Sequence, residues 1–150
     1  MDGKAGASSV YDPANPIYDP IHAFVGRAWH SAPYSLPAFI WYNFDQYRFC
    51  PAGISFRPAQ EISLEKAVAR FPTKYQFIGS NDAECNRNSS WTALCEDLSG
   101  KAISSKTEKH ECRVNLEEQS CRKFGCLGIK VLDVVDRYVV LQNIAMWTCP

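Results

Sequence analysis

Nowhere in these 150 residues do about 18 apolar positions follow one another, the length a helix needs to cross a bilayer. The N-terminal stretch from Met1 to Ser9 also lacks the apolar core of a secretory signal, so a soluble domain is expected, either complete or excised from a longer chain. Runs of lysine or arginine are missing. Sixteen basic residues face sixteen acidic ones for a formal net charge of zero, which argues against nucleic acid as a partner. The patterns of common active sites are absent too: there is no Gly-x-Ser-x-Gly, no His-Glu-x-x-His and no phosphate-binding glycine loop. The three histidines, His22, His30 and His110, are scattered, and no enzyme is expected; His22 and His110 are expected on the surface. No two Cys-x-x-Cys elements occur, so a zinc cluster has little support.

What is present is a chain of one-domain length, long enough for folding to remove roughly two thirds of its unfolded surface from water. A hydrophobic fraction of 46% with 13% aromatics fits a globular protein. Seven cysteines point to an oxidising compartment, extracellular or cell-surface, the alternative being a cytosolic protein with buried thiols. The spacings predict disulfides Cys85–Cys95 and Cys112–Cys126, with Cys50, Cys121 and Cys149 left to be apportioned. The count is odd, and Cys149 is the natural candidate for a partner outside the chain. A glycosylation sequon, Asn88-Ser89-Ser90, agrees with secretion.

Residues 1–20 contain Pro13, Pro16 and Pro20 and a repeated Tyr-Asp-Pro, at 11–13 and 18–20, and are expected to form an extended arm. Residues 21–150 are expected to form the domain. Strand-like runs begin at Phe39, Gly53, Lys74, Glu111, Gly125 and Tyr138, and several alternate apolar with polar, as at Ile54 and Phe56 or Tyr75 and Phe77. The one helix-compatible stretch, Ile62 to Phe71, ends before Pro72. The expectation is an all-β sandwich or barrel.

Three segments in order carry a family resemblance. Ala23 to Gly26 followed by Trp29-His30-Ser31 is one; Phe39 to Phe44 leading to Gly53-Ile54-Ser55-Phe56 is the second. The third is Tyr75-Gln76-Phe77-Ile78-Gly79-Ser80-Asn81-Asp82 with Trp91 downstream. Together with the closing runs 124–132 and 141–147, they resemble the discoidin, or coagulation-factor type C, family, which includes galactose-binding-like carbohydrate-binding modules. The resemblance implies a galactose-binding-like β-sandwich, a discoidin-type jelly roll, with ligand loops at one end.

It also implies a non-catalytic module for glycans, galactose-type among them, in lectin-like recognition or adhesion. A sugar site needs planar donors and acceptors beside an aromatic platform. His30 occupies the position that hydrogen-bonds sugar in relatives, unless it only satisfies a loop carbonyl; Tyr34 would be the platform, with Arg57 and Gln60 as neighbours. Relatives often carry Arg before Gln, where this chain reads Pro58-Ala59-Gln60. No cofactor is expected. A structural calcium is disfavoured, because Val25 stands where relatives place an aspartate and offers no side-chain oxygen. The alternative partner is a protein or an anionic phospholipid surface, contacted through Tyr34, Leu36 and Phe39; the latter two are equally readable as core.

Overall fold

The computed structural model describes residues 3–149; Met1, Asp2 and Pro150 lie outside the described residues. Among the described residues, nine strands form two antiparallel sheets. One has five strands in the order β1 (Lys4–Ala7), β3 (Ala38–Asn43), β8 (Cys126–Asp133), β5 (Lys74–Ser80) and β6 (Thr92–Asp97). The other has four, in the order β2 (Ala28–His30), β9 (Val140–Thr148), β4 (Pro51–Arg57) and β7 (His110–Arg113). This is the expected β-sandwich.

Alternation decides which side chains meet between the sheets. Leu127, Ile129 and Val131 of β8 point inward, as do Ile40 of β3, Tyr75 and Phe77 of β5 and Ile54 and Phe56 of β4; all are buried with Trp29 in one core. The opposite face of this sheet carries a second, smaller cluster, in which Phe39 and Trp41 of β3 and Ile78 of β5 pack with Trp91. Gly128 belongs to that face because Trp41 crosses it: a Cβ there would collide with the Ile40 carbonyl and the Trp41 side chain. Phe39 is thus a buried residue, whereas Leu36 is exposed.

The stretch expected as an arm divides in two. Residues 4–7 contain no proline, keep their backbone donors, and pair with β3 as an edge strand. The proline-rich remainder folds back through Asx turns: Asp12 accepts from the Ala14 N–H (3.1 Å) and Asn15 from the Ile17 N–H (3.2 Å). A short 3-10 turn, Pro16–Tyr18, follows, and then the one-turn helix α1 (Ile21–Phe24).

Two expectations need correction. The four cysteines singled out do form disulfides, but with exchanged partners: Cys85–Cys126 and Cys95–Cys112, with Cys50–Cys121 as the third. Residues 92–97 form a strand, which carries Cys95 away from Cys85. Cys95 therefore sits on the β6 edge of one sheet and reaches Cys112 on the β7 edge of the other. Cys126 opens β8 opposite Ser80 at the end of β5, beside the loop that carries Cys85. His110 is the second. It is half-buried, not on the surface, stacked on Phe71 and Tyr75 at centroid distances of 4.6 and 5.1 Å, with Nε2 2.7 Å from the Pro72 carbonyl oxygen.

Candidate functional site

A cleft of about 800 Å³ is bounded by the folded-back N-terminal segment, β2, β9, the helix α2 (Leu64–Arg70) and the β8–β9 turn. Each wall has a local cause. Ser63 caps α2 by accepting from the Lys66 N–H (3.3 Å), and Pro72 stops the helix after two turns. Arg70, in the last turn, is delivered into the cleft. The N-terminal segment is fastened where Trp29 Nε1 donates to the Ser9 carbonyl oxygen (3.0 Å) and the Tyr11 N–H to the His30 carbonyl oxygen (2.8 Å). That brings the tyrosines of both Tyr-Asp-Pro repeats to the mouth.

His30 stands among three tyrosine rings: Tyr11 at 4.7 Å between centroids, Tyr138 at 5.0 Å and Tyr18 at 6.0 Å. Its Nδ1 donates to the Ser31 carbonyl oxygen (3.0 Å), which leaves Nε2 as an acceptor facing Arg70 Nη1 at 3.4 Å. Arg70 Nε in turn donates to Asp136 Oδ2 (3.0 Å), and the guanidinium lies over the Tyr138 ring at 4.8 Å. Arg137 covers the same ring at 5.1 Å. Burial pushes the His30 imidazole below its ordinary value of 6.5, assisted by the Arg70 charge and opposed by the Ser31 hydrogen bond and the Asp136 charge. Asp136 is held below the usual carboxylate range, chiefly by the Arg137 backbone N–H at 2.6 Å and further by Arg70.

The arrangement offers aromatic faces, an imidazole acceptor and a guanidinium. Of the five N–H donors of Arg70, two are engaged by Asp136 and His30, leaving three for an incoming hydroxyl. With an imidazole acceptor and a guanidinium held by a carboxylate, the cleft can both accept and donate hydrogen bonds to a polar ligand.

The residues expected at the site are distributed around this cleft. His30 is inside it. Tyr34 is 81% exposed on the other side of the β8–β9 turn, its N–H donating to the Arg137 carbonyl oxygen (2.9 Å); with Leu36, Val135, Asp136 and Arg137 it borders a second, shallower groove. Arg57 is exposed at the end of β4, paired in register with Gln142 of the cleft floor. Gln60 spends its side-chain amide on the Pro58 and Lys106 carbonyl oxygens, both at 2.9 Å, and so braces the loop behind the cleft. Tyr11, Tyr18, Arg70, Asp136, Arg137 and Tyr138 were not singled out. The duplicated Tyr-Asp-Pro was a visible signal for two of them, but only folding reveals that both repeats turn toward His30.

No family model matches the sequence, and no curated protein matches it. Solved structures do. A family 32 carbohydrate-binding module of Clostridium perfringens in complex with galactose superposes with a TM-score of 0.67 at 15% identity, over 96% of this chain and 92% of that one. A second Clostridium perfringens module, in complex with GalNAc-β-1,3-galactose, gives 0.70 at 15% identity, over 97% and 95%. A chitosan-binding module from a Paenibacillus chitosanase/glucanase, in complex with chitotriose, gives 0.67 at 12% identity, over 98% and 97%. At such identities the likeness is one of architecture, and it is complete from end to end: this chain has the galactose-binding-like β-sandwich of the family 32 carbohydrate-binding modules.

Proposed function

We propose that the chain is a non-catalytic, lectin-like glycan-binding module of an extracellular or cell-surface protein, and that it holds its ligand in the cleft around His30. The observation that carries this reading is the convergence of three tyrosine rings, one imidazole acceptor and one partly unsatisfied guanidinium on a single cleft. A pyranose has an apolar face and a rim of hydroxyls; rings receive the former, while hydrogen-bonding groups fixed by their own neighbours select among the latter. Neighbours of the same fold were solved with galactose, a GalNAc-galactose disaccharide and chitotriose, which supports a glycan as the ligand and galactose-type sugars as the first to try. Three disulfides support an oxidising compartment.

A second reading has its own observation. Tyr34, Leu36 and Val135 are exposed together beside Arg137, as a surface-docking loop tip would be, and a protein or anionic-lipid partner would meet them first. A glycan array run alongside liposome co-sedimentation separates the two. Glycan signal without pelleting is expected; pelleting on anionic liposomes with a blank array would overturn the first reading in favour of the second.

A further inference from the structure

Far from His30 in sequence, three sulfurs meet. Cys50 lies just before β4, Cys149 just after β9, and Cys121 follows the short helix α3 (Leu116–Gln119). Their Sγ atoms all fall within 4.8 Å of one another. Cys50 and Cys121 share a disulfide, whereas Cys149 is a free thiol. The pairing of β4 with β9 sets this up: Pro51 stands opposite Thr148, so Cys50 stands opposite Cys149, whose N–H donates to the Cys50 carbonyl oxygen at 3.0 Å.

We infer that these residues form an exchangeable three-sulfur centre, in which the Cys149 thiolate attacks Cys50 Sγ and displaces Cys121. The Cys149–Cys50 bond forms as the Cys50–Cys121 bond breaks. The electron pair of the broken bond leaves on Cys121 Sγ, and the proton lost by Cys149 is matched by the one Cys121 takes up. One disulfide and one thiol enter and leave, so no oxidant or reductant is consumed. Cys50 is the buried, shared sulfur, with one competitor just past the end of the neighbouring strand and one on a surface segment.

Two features favour exchange here. Ser120 and Cys121 both have positive φ, 51° and 50°, where non-glycine residues are strained, and release of Cys121 lets that backbone relax. The segment also keeps its ends when the bond moves: the Val114 N–H donates to the Ala52 carbonyl oxygen (3.0 Å), and Phe124 and Phe49 bond reciprocally at 2.8 and 2.9 Å. The strands are therefore unchanged, while the free thiol moves from half-buried Cys149 to exposed Cys121.

The test is alkylation with N-ethylmaleimide after incubation of the non-reduced protein at mildly alkaline pH, followed by acid quench and peptide mapping. Label is expected on both Cys121 and Cys149, together with a Cys50–Cys149 bridge, in proportions unchanged on dilution. Cys149→Ser should lose Cys121 labelling altogether and keep the Cys50–Cys121 bridge, which excludes incomplete oxidation as the source of label. Wild-type label confined to Cys149 would overturn the inference, as would Cys121 labelling that persists in Cys149→Ser. Should the variant fail to fold, the dilution-independent Cys50–Cys149 bridge of the wild type decides alone.

Discussion

Placed among Tyr11, Tyr18 and Tyr138, His30 is kept neutral by burial and presents Nε2 as an acceptor. His30→Phe keeps a ring among the tyrosines but removes that acceptor. It should weaken binding of the best array glycan by about 1–3 kcal/mol, the cost of leaving a buried partner unpaired, while the melting temperature moves little. Calorimetric titration beside a thermal melt checks this; a large loss of stability with intact affinity would mark His30 as structural. Acidification should act on the same atom. His30 and His110 both lie below their ordinary 6.5, so as pH falls through that value the unfolded chain takes up protons before the folded one, and stability declines toward the folded values. Wild-type affinity should fall at lower pH still, as the folded His30 itself takes up a proton and Nε2 becomes a donor facing Arg70, and the His30→Phe affinity should not follow it. At this scale the sequence was only partly legible. Trp29 as core and His30 as a polar residue bonded to a nearby carbonyl both follow from the Trp-His-Ser segment, but no local pattern says that Arg70, forty residues on, points at His30.

Elements explain why the cysteines were harder to read than the strands. Alternation in 74–77 and 53–56 announces which face is buried, so β4 and β5 are visible in the sequence itself. The segment 92–97 has weaker alternation and the exposed edge of its sheet for a home, and once it is missed Cys95 pairs with its sequence neighbour instead of across the sandwich. Its actual bond to Cys112 ties the free edges of the two sheets, β6 and β7. At a sequence separation of 17, the chain-entropy model assigns this crosslink about 3 kcal/mol. Replacing both cysteines by serine should therefore lower the melting temperature by roughly 6–12 °C for a chain of this length, at about 2–4 °C per kcal/mol. Calorimetry on the double variant checks it; an unchanged melt would show that the sheet edges hold without the bond. The folding-back of 8–20 was illegible for a different reason. Proline content predicts an extended backbone, whereas Asx turns at Asp12 and Asn15 determine where that backbone goes.

For the whole molecule, the sandwich is a frame that gathers distant segments at one end. The N-terminal segment, α2 and the β8–β9 turn have no contact in sequence, and each would be an unremarkable surface loop alone. Antiparallel pairing of β9 with β2 sets His30 opposite Val140, just after Tyr138, and the Asp136 N–H donates to the Ala69 carbonyl oxygen at 2.7 Å, which fastens Arg70 beside both. The fold was legible because the central strands β4, β5 and β8 each repeat their pattern, even where edge strands such as β1 and β6 do not announce themselves. The site was not, because it is assembled from single residues on separate connections. The most direct test of the central claim is a nitrogen-edited NMR titration of the disulfide-intact protein with galactose, GalNAc-β-1,3-galactose and chitotriose in turn. At least one of these should shift the resonances of residues 28–30, 66–70 and 136–142 in a saturable way and leave β6 and β7 unmoved. Saturable shifts confined to another face of the sandwich, or none with any of the three sugars nor with the strongest ligand from the array, would contradict it.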